Sequence, residues 1–165
     1  MFIKVFKLFR FRIRGGKEMN RDLMFSSNNN DWETPQEFYK KLNNEFNFTI
    51  DPCATKENAK CDKYYTKENN GLIQDWKDER VFCNPPYGRE ISKWIEKCFN
   101  ERNNTELIVL LIPARTDTKY FHNFIYNKSE IRFIKGRLKF IGNSKGSGSA
   151  PFPSMLVIFR NEAKK

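Results

Sequence analysis

The run 106–112 (Glu-Leu-Ile-Val-Leu-Leu-Ile), closed by Pro113, constrains what this chain can fold into more than any other stretch. Almost no polar residue interrupts it, so it has no solvated face; a strand of this kind is buried on both sides of a sheet. Proline brings no N–H to the ladder and ends the strand. A second apolar run, Val81-Phe82-Cys83, leads straight into Asn84-Pro85-Pro86-Tyr87-Gly88 and stops in the same way. Asn84 therefore stands at a strand's carboxyl edge, where open α/β sheets bind their ligands. A plain Pro-Pro-Tyr-Gly turn is the competing reading of the same residues.

The other elements follow in order. Thr34 is placed to cap a helix over 35–46, with Pro35 at its first position and Glu37 in its first turn; Phe38, Leu42 and Phe46 recur at helical spacing. Residues 46–51 alternate as a short strand that ends on Asp51-Pro52-Cys53-Ala54, again placing a carboxylate at a strand's end. Residues 55–70 are polar and support one weak strand near Tyr64 and Tyr65. Helix 90–102 carries Ile91, Trp94, Ile95 and Cys98 on one face, and Tyr120, Phe121, Phe124 and Ile125 suit another helix. Strand segments are expected at 131–134 and 138–141 around Gly136, then a mobile glycine-rich loop at 142–151 and a last strand, 155–159, antiparallel to its neighbour. The sum is an α/β fold whose sheet is mostly parallel with a C-terminal antiparallel hairpin.

The length of 165 residues suits one domain, and a formal charge of +10 suggests an anionic partner such as nucleic acid. Half of that charge lies in residues 1–18, where Lys4, Lys7, Arg10, Arg12, Arg14 and Lys17 face only Glu18. A DNA-backbone arm, an extra edge strand and upstream sequence not natively translated all account for it. Under the third reading, 14–19 is a purine-rich ribosome-binding site translated in frame, and Met19 is the start. No apolar run approaches the roughly 20 residues of a membrane span, and no signal peptide opens the chain, so a cytoplasmic location is expected. Cys53, Cys61, Cys83 and Cys98 form no Cys-x-x-Cys pair and His122 is the only histidine, which argues against a metal site, a disulfide framework and histidine-based hydrolysis.

A series of motifs now falls into order: Trp32-x-Thr34-Pro35, Asp51-Pro52-Cys53-Ala54, Asp75-Trp76, Asn84-Pro85-Pro86-Tyr87, 113–118 (Pro-Ala-Arg-Thr-Asp-Thr), 136–140 (Gly-Arg-Leu-Lys-Phe) and 150–153 (Ala-Pro-Phe-Pro). Over roughly residues 26–160 the sequence resembles the phage-type, Dam-like DNA N6-adenine methyltransferases. The resemblance implies a Rossmann-like methyltransferase domain over 26–165, with 1–25 as a basic extension. It implies S-adenosylmethionine as donor, double-stranded DNA as partner, a phage or prophage origin, and a flipped-out adenine methylated on its exocyclic nitrogen. Asn-Pro-Pro-Tyr also occurs in enzymes acting on protein glutamine, and related forms act on RNA. An inactive DNA-binding module is the non-enzymatic alternative.

By this resemblance the Asn84 side-chain oxygen and the Pro85 carbonyl accept the two amine protons of adenine, Pro86 stiffens the turn, and Tyr87 stacks on the base. Trp32, Thr34, Pro35, Asp51, Pro52, Cys53 and Ala54 line the cofactor pocket, Asp51 receiving the cofactor's ammonium and Asp75 its adenine amino group. Asp62 and Glu68 are both open as the ribose-binding acid. DNA contact falls to Arg115, Arg137, Lys139, Phe140 and Lys145, with Arg132 and Lys135 nearby. For several of these a structural role competes: a helix cap or turn for Asp51, a solvated turn for Asp75, and core packing for Trp32 and Phe140. Target sequence and oligomeric state are not readable from the residues.

Overall fold

The computed structural model describes residues 32–141 and 149–161. Its centre is the strand expected from the opening run. β4 (Leu107–Pro113) is buried at every position, and its side chains alternate between two apolar layers. Ile108, Leu110 and Ile112 join Ile50, Val81, Trp94, Ile95 and Phe121 on one face. Leu107, Val109 and Leu111 join Tyr39, Leu42, Phe46, Phe82 and Phe140 on the other. α1 (Gln36–Phe46) thus covers one side of the sheet and α2 (Ile91–Glu101) the opposite side.

Besides β4 the sheet contains β1 (Ile50–Asp51), β2 (Lys63–Tyr64), β3 (Arg80–Cys83), β5 (Glu130–Phe133) and β6 (Ser154–Arg160), in the order β2-β1-β3-β4-β6-β5. β2, β1, β3 and β4 run parallel, and β6 is antiparallel to both of its neighbours. The expected antiparallel closing pair is present, but β6 is inserted between β4 and β5 rather than added at the edge. That position buries its residues 154–159. From β1 the chain moves to one side to form β2, then crosses to the other side for β3. The reversal opens a crevice at the carboxyl ends of β1 and β3, the location at which such sheets hold ligands.

Several local expectations need correction. The strand expected over 46–51 shrinks to Ile50–Asp51, because Asn47 takes a left-handed conformation (φ 49°) and Phe48 N–H donates to Asn43 Oδ1, spending the segment's start on ending α1. The helix expected near 120–125 is present, as a short π-helical segment over Phe121–Ile125. Residues 138–141 form no strand; after Gly136 (φ 81°) only Ile141 bridges, to Glu33. Thr34 makes no capping bond, and Pro35 occupies the cap position. The Met19 start and the 1–25 extension lie outside the described residues, as does most of the 142–151 loop. Among the described residues no helix is long and apolar enough to cross a membrane.

One wall of the crevice depends on a missing side chain. A Cβ built on Gly71 would meet the Pro52 carbonyl oxygen at 2.0 Å, so only glycine lets the 70–72 turn close against the end of β1. Trp76, wholly buried, ties the same turn down by donating from Nε1 to the Gly71 carbonyl at 3.1 Å. Gly71→Ala is therefore expected to lower stability by about 1–3 kcal/mol, as overpacked sites do, with an unchanged denaturant slope in urea melts.

Candidate active site

The crevice encloses about 540 Å³. Its walls include Trp32–Thr34 ahead of α1, 51–55 after β1, Asn58 and Lys60 in the loop that follows, Asn70–Leu72 of the turn ahead of Trp76, Asn84–Pro86 after β3, and Trp94 of α2. Of the residues assigned to a cofactor, Trp32, Thr34, Asp51, Pro52, Cys53 and Ala54 line it. Pro35 instead starts α1. Asp75 does not reach the wall; it is exposed and accepts from Lys77 N–H at 2.9 Å and Asn104 Nδ2 at 3.1 Å, the turn role that competed for it. Asp62 and Glu68 are also off the wall, whose acidic side chains are Glu33, Asp51 and Glu90.

Asn84 is held at both ends of its carboxamide. Nδ2 donates to the Trp32 carbonyl and, at 2.9 Å, to Thr34 Oγ1. On the other side Tyr87 Oη lies 2.8 Å from Asn84 Oδ1 and 3.1 Å from the Leu111 carbonyl, sharing one proton between two acceptors. The carbonyl of Trp32 can only accept, so the orientation of the amide is fixed by chemistry. Oδ1 keeps a second lone pair for a donor entering the crevice. Burial pushes the Tyr87 phenol well above its usual range, so it stays protonated and donating.

The Tyr87 ring is half-buried in an aromatic group. It lies near-parallel to Trp32 at 6.5 Å and edge-on to Phe140 and Phe152 at 6.0 and 5.5 Å. Phe140 is 0% exposed and meets Trp32 edge-on at 5.5 Å, so it packs beneath the site and its ring is not open to a base. Phe140 and Phe152 precede and follow residues 142–148 in the sequence, and both pack against Tyr87 of the Asn84 turn.

Asp51, 5% exposed, faces the crevice with a raised pKa of about 6. Burial is the cause, only partly offset by backbone N–H donors at 3.2 Å (Lys60) and 3.4 Å (Cys53). The Lys60 ammonium is turned away to Glu33 Oε1 at 3.1 Å and Gln36 Oε1 at 3.4 Å. The Lys60 charge lowers the Asp51 pKa from a distance, but among the described residues no cation pairs with the carboxylate, which suits a ligand that carries its own positive charge. Cys53 and Cys83 are free thiols with sulfurs 3.6 Å apart, and burial raises both pKa values far above the ordinary thiol range.

The cations assigned to DNA divide. Arg115, Arg137 and Lys139 are exposed, and Lys145 lies outside the described residues. Arg132 is committed to Glu45 (2.7 and 2.9 Å) and to Glu130 (2.6 Å), which removes it from the basic cluster. Sequence reasoning missed Lys60, Glu33, Asn58, Gly71, Leu72 and Trp94 as wall residues. Only Gly71, a lone glycine after a polar run, left a local trace.

Residues 23–165 match the family described as DNA N-6-adenine-methyltransferase (Dam). A DNA N-6-adenine-methyltransferase of Haemophilus phage HP1 (strain HP1c1) is 30% identical over 137 residues, spanning 80% of this chain and 79% of that protein. A DNA N-6-adenine-methyltransferase of Escherichia phage T1 is 31% identical over 142 residues, spanning 70% of this chain and 59% of that protein. Both of these relatives are phage proteins. With nearly its whole length matched, the chain belongs to the DNA N-6-adenine-methyltransferase (Dam) family.

Proposed function

We propose that this protein methylates the exocyclic nitrogen of adenine in double-stranded DNA, using S-adenosylmethionine and a base swung out of the helix. The observation that carries the reading is the anchored carboxamide of Asn84 on the wall of a crevice that also holds the buried Asp51. Residues 26–165 are read as one Rossmann-like methyltransferase domain. The parallel order β2-β1-β3-β4 and the family match beginning at residue 23 support this.

The crevice residues fit the cofactor in charge and in space. Asp51 would take its ammonium, Cys53 and Ala54 are small enough for close approach, and Trp32, Leu72 and Trp94 supply apolar walls. When bound, the cofactor supplies an electrophilic methyl group. The chain's own task is to present the amine. Adenine's exocyclic lone pair is delocalised into the ring, and acceptors aimed at both amine protons favour a pyramidal nitrogen whose lone pair faces the methyl. Asn84 Oδ1 is one such acceptor and the Pro85 carbonyl the other, their positions set by stiff proline backbone. Asn84 has no basic function to offer, so its contribution is orientation, for which aligned reactants supply up to about 7–11 kcal/mol. Tyr87 would stack on the base through the part of its ring left open, worth roughly 1–3 kcal/mol against an unstacking cost of similar size. Arg115, Arg137, Lys139 and Lys145 would meet phosphates around the flipped nucleotide.

Three outcomes test this. Asn84→Ala should cut labelled-methyl transfer to DNA by about 100-fold or more while calorimetry shows near-normal cofactor affinity; normal turnover would contradict the orienting role. Arg137→Ala combined with Lys139→Ala should weaken DNA binding and flatten its salt dependence by about 0.9 in log–log slope for each phosphate that is no longer neutralised. Cofactor affinity should fall as pH drops through about 6, because protonation removes the Asp51 charge that an ammonium needs. Asp51→Asn should bind more weakly at pH 7.5 and lose this pH dependence.

A further inference from the structure

We infer that Thr34 is a positioning residue for the reaction: the Trp32 carbonyl decides which end of the Asn84 carboxamide is the nitrogen, and the Thr34 hydroxyl is the second anchor that pins this nitrogen so that Oδ1 is held where the substrate amine needs it. The inference rests on the reading of Asn84 as the amine-orienting group and assigns a residue that acts through it.

A carboxamide has two nearly isosteric ends, and rotation by half a turn would replace the acceptor with a donor. A donor there would face the amine protons of adenine and repel them. The Trp32 carbonyl, which can only accept, opposes that rotation, and two hydroxyls pin the two ends in place. Nδ2 meets the Trp32 carbonyl and Thr34 Oγ1, and Oδ1 meets the Tyr87 hydroxyl. Thr34 is 2% exposed, so water does not substitute for its oxygen. Its hydroxyl accepts from Asn84, which leaves its own proton free to donate elsewhere.

Thr34 also departs from what its sequence position favours. A threonine just ahead of a helix ordinarily caps it, yet α1 has no side-chain cap bond and Pro35 takes the cap position. The hydroxyl is spent across 50 residues of sequence on Asn84. Because the Trp32 carbonyl lies two residues away on the same strap, that strap sets both anchors of Nδ2. Any change that keeps its backbone but deletes the hydroxyl isolates the contribution of Thr34.

Thr34→Val keeps the shape and removes the acceptor; Thr34→Ser keeps the acceptor. Methyl transfer is measured with saturating S-adenosylmethionine on plasmid DNA from a host lacking adenine methylation. Cofactor Kd is measured by calorimetry and the Asn84 side-chain amide is followed by ¹⁵N–¹H NMR. The expected result is a kcat lower by about 10- to 100-fold in Thr34→Val, as for a misplaced reacting group, with the Asn84 NH₂ resonances displaced. Thr34→Ser should restore both. Thr34→Cys, with its weak acceptor, gives the same comparison if valine is not accommodated. The inference is overturned if Thr34→Val changes only cofactor Kd, if its kcat stays within twofold of the parent, or if Thr34→Ser is as impaired as Thr34→Val. Full turnover by Asn84→Ala would instead overturn the reading beneath it, so the two failures are distinguishable.

Discussion

Burial of β4 on both faces is the constraint from which the rest of the architecture follows. A strand with apolar side chains above and below needs a neighbour on each edge and a helix on each side, and the chain supplies β3, β6, α1 and α2 for these places. Parallel neighbours require crossovers, and the reversal from β1 out to β2 and then back across to β3 opens a crevice at the strand ends. The site is therefore a by-product of covering the core. Asp51 and Asn84 reach the same cavity because β1 and β3 are adjacent and parallel, with Ile50 opposite Val81.

The second organising contact is aromatic. Trp32, Tyr87, Phe140 and Phe152 come from four separate segments, and each of the six pairings but one is edge-on or near-stacked within 6.5 Å; the Phe140–Phe152 pair is tilted at 6.4 Å. Such pairs add about 0.5–1.5 kcal/mol beyond their buried area. Their placement matters more than their sum. Through Trp32 the group fixes the carbonyl that receives Asn84 Nδ2, and through Tyr87 it fixes the hydroxyl that meets Oδ1. Phe140 thus serves the site from beneath it, by holding the rings that hold the amide.

What could be read in the sequence followed the range of the forces involved. The strand at 106–112, the α2 stripe and the proline stop after Cys83 are set by burial and by backbone chemistry within a few residues, and they were legible. The failures lie where a distant partner outbids a local preference. Thr34 looked like a cap because its neighbours suit one, but Asn84 claims its hydroxyl. Arg132 looked like part of a phosphate-binding cluster, but Glu45, 87 positions away, neutralises it. Residues 138–141 have the composition of a strand, yet Gly136 turns the chain and the strand places beside β4 are already filled by β3 and β6. The cavity residue Lys60 was invisible for the same reason, and Gly71 left only a faint trace: a lysine in a polar run and a single glycine acquire meaning only against Glu33 and the Pro52 carbonyl.

Asp51 shows how site and stability are set against each other in this fold. Raising a carboxyl pKa from 3.8 to about 6 disfavours the charged form in the folded chain by on the order of 3 kcal/mol. The sign follows from linkage: between these two values the folded state binds more protons than the unfolded one, so stability falls as pH rises through the interval. Above about 6 the full cost is present. The sequence has a remedy within reach, since Lys60 sits on the same wall, but its ammonium is paired with Glu33 instead. Had Lys60 neutralised Asp51, the crevice would lose its attraction for a cationic ligand. Lys60 and two backbone N–H groups offset only part of the burial cost; the ligand's own ammonium can recover more of it, which is how a destabilised residue becomes an affinity determinant.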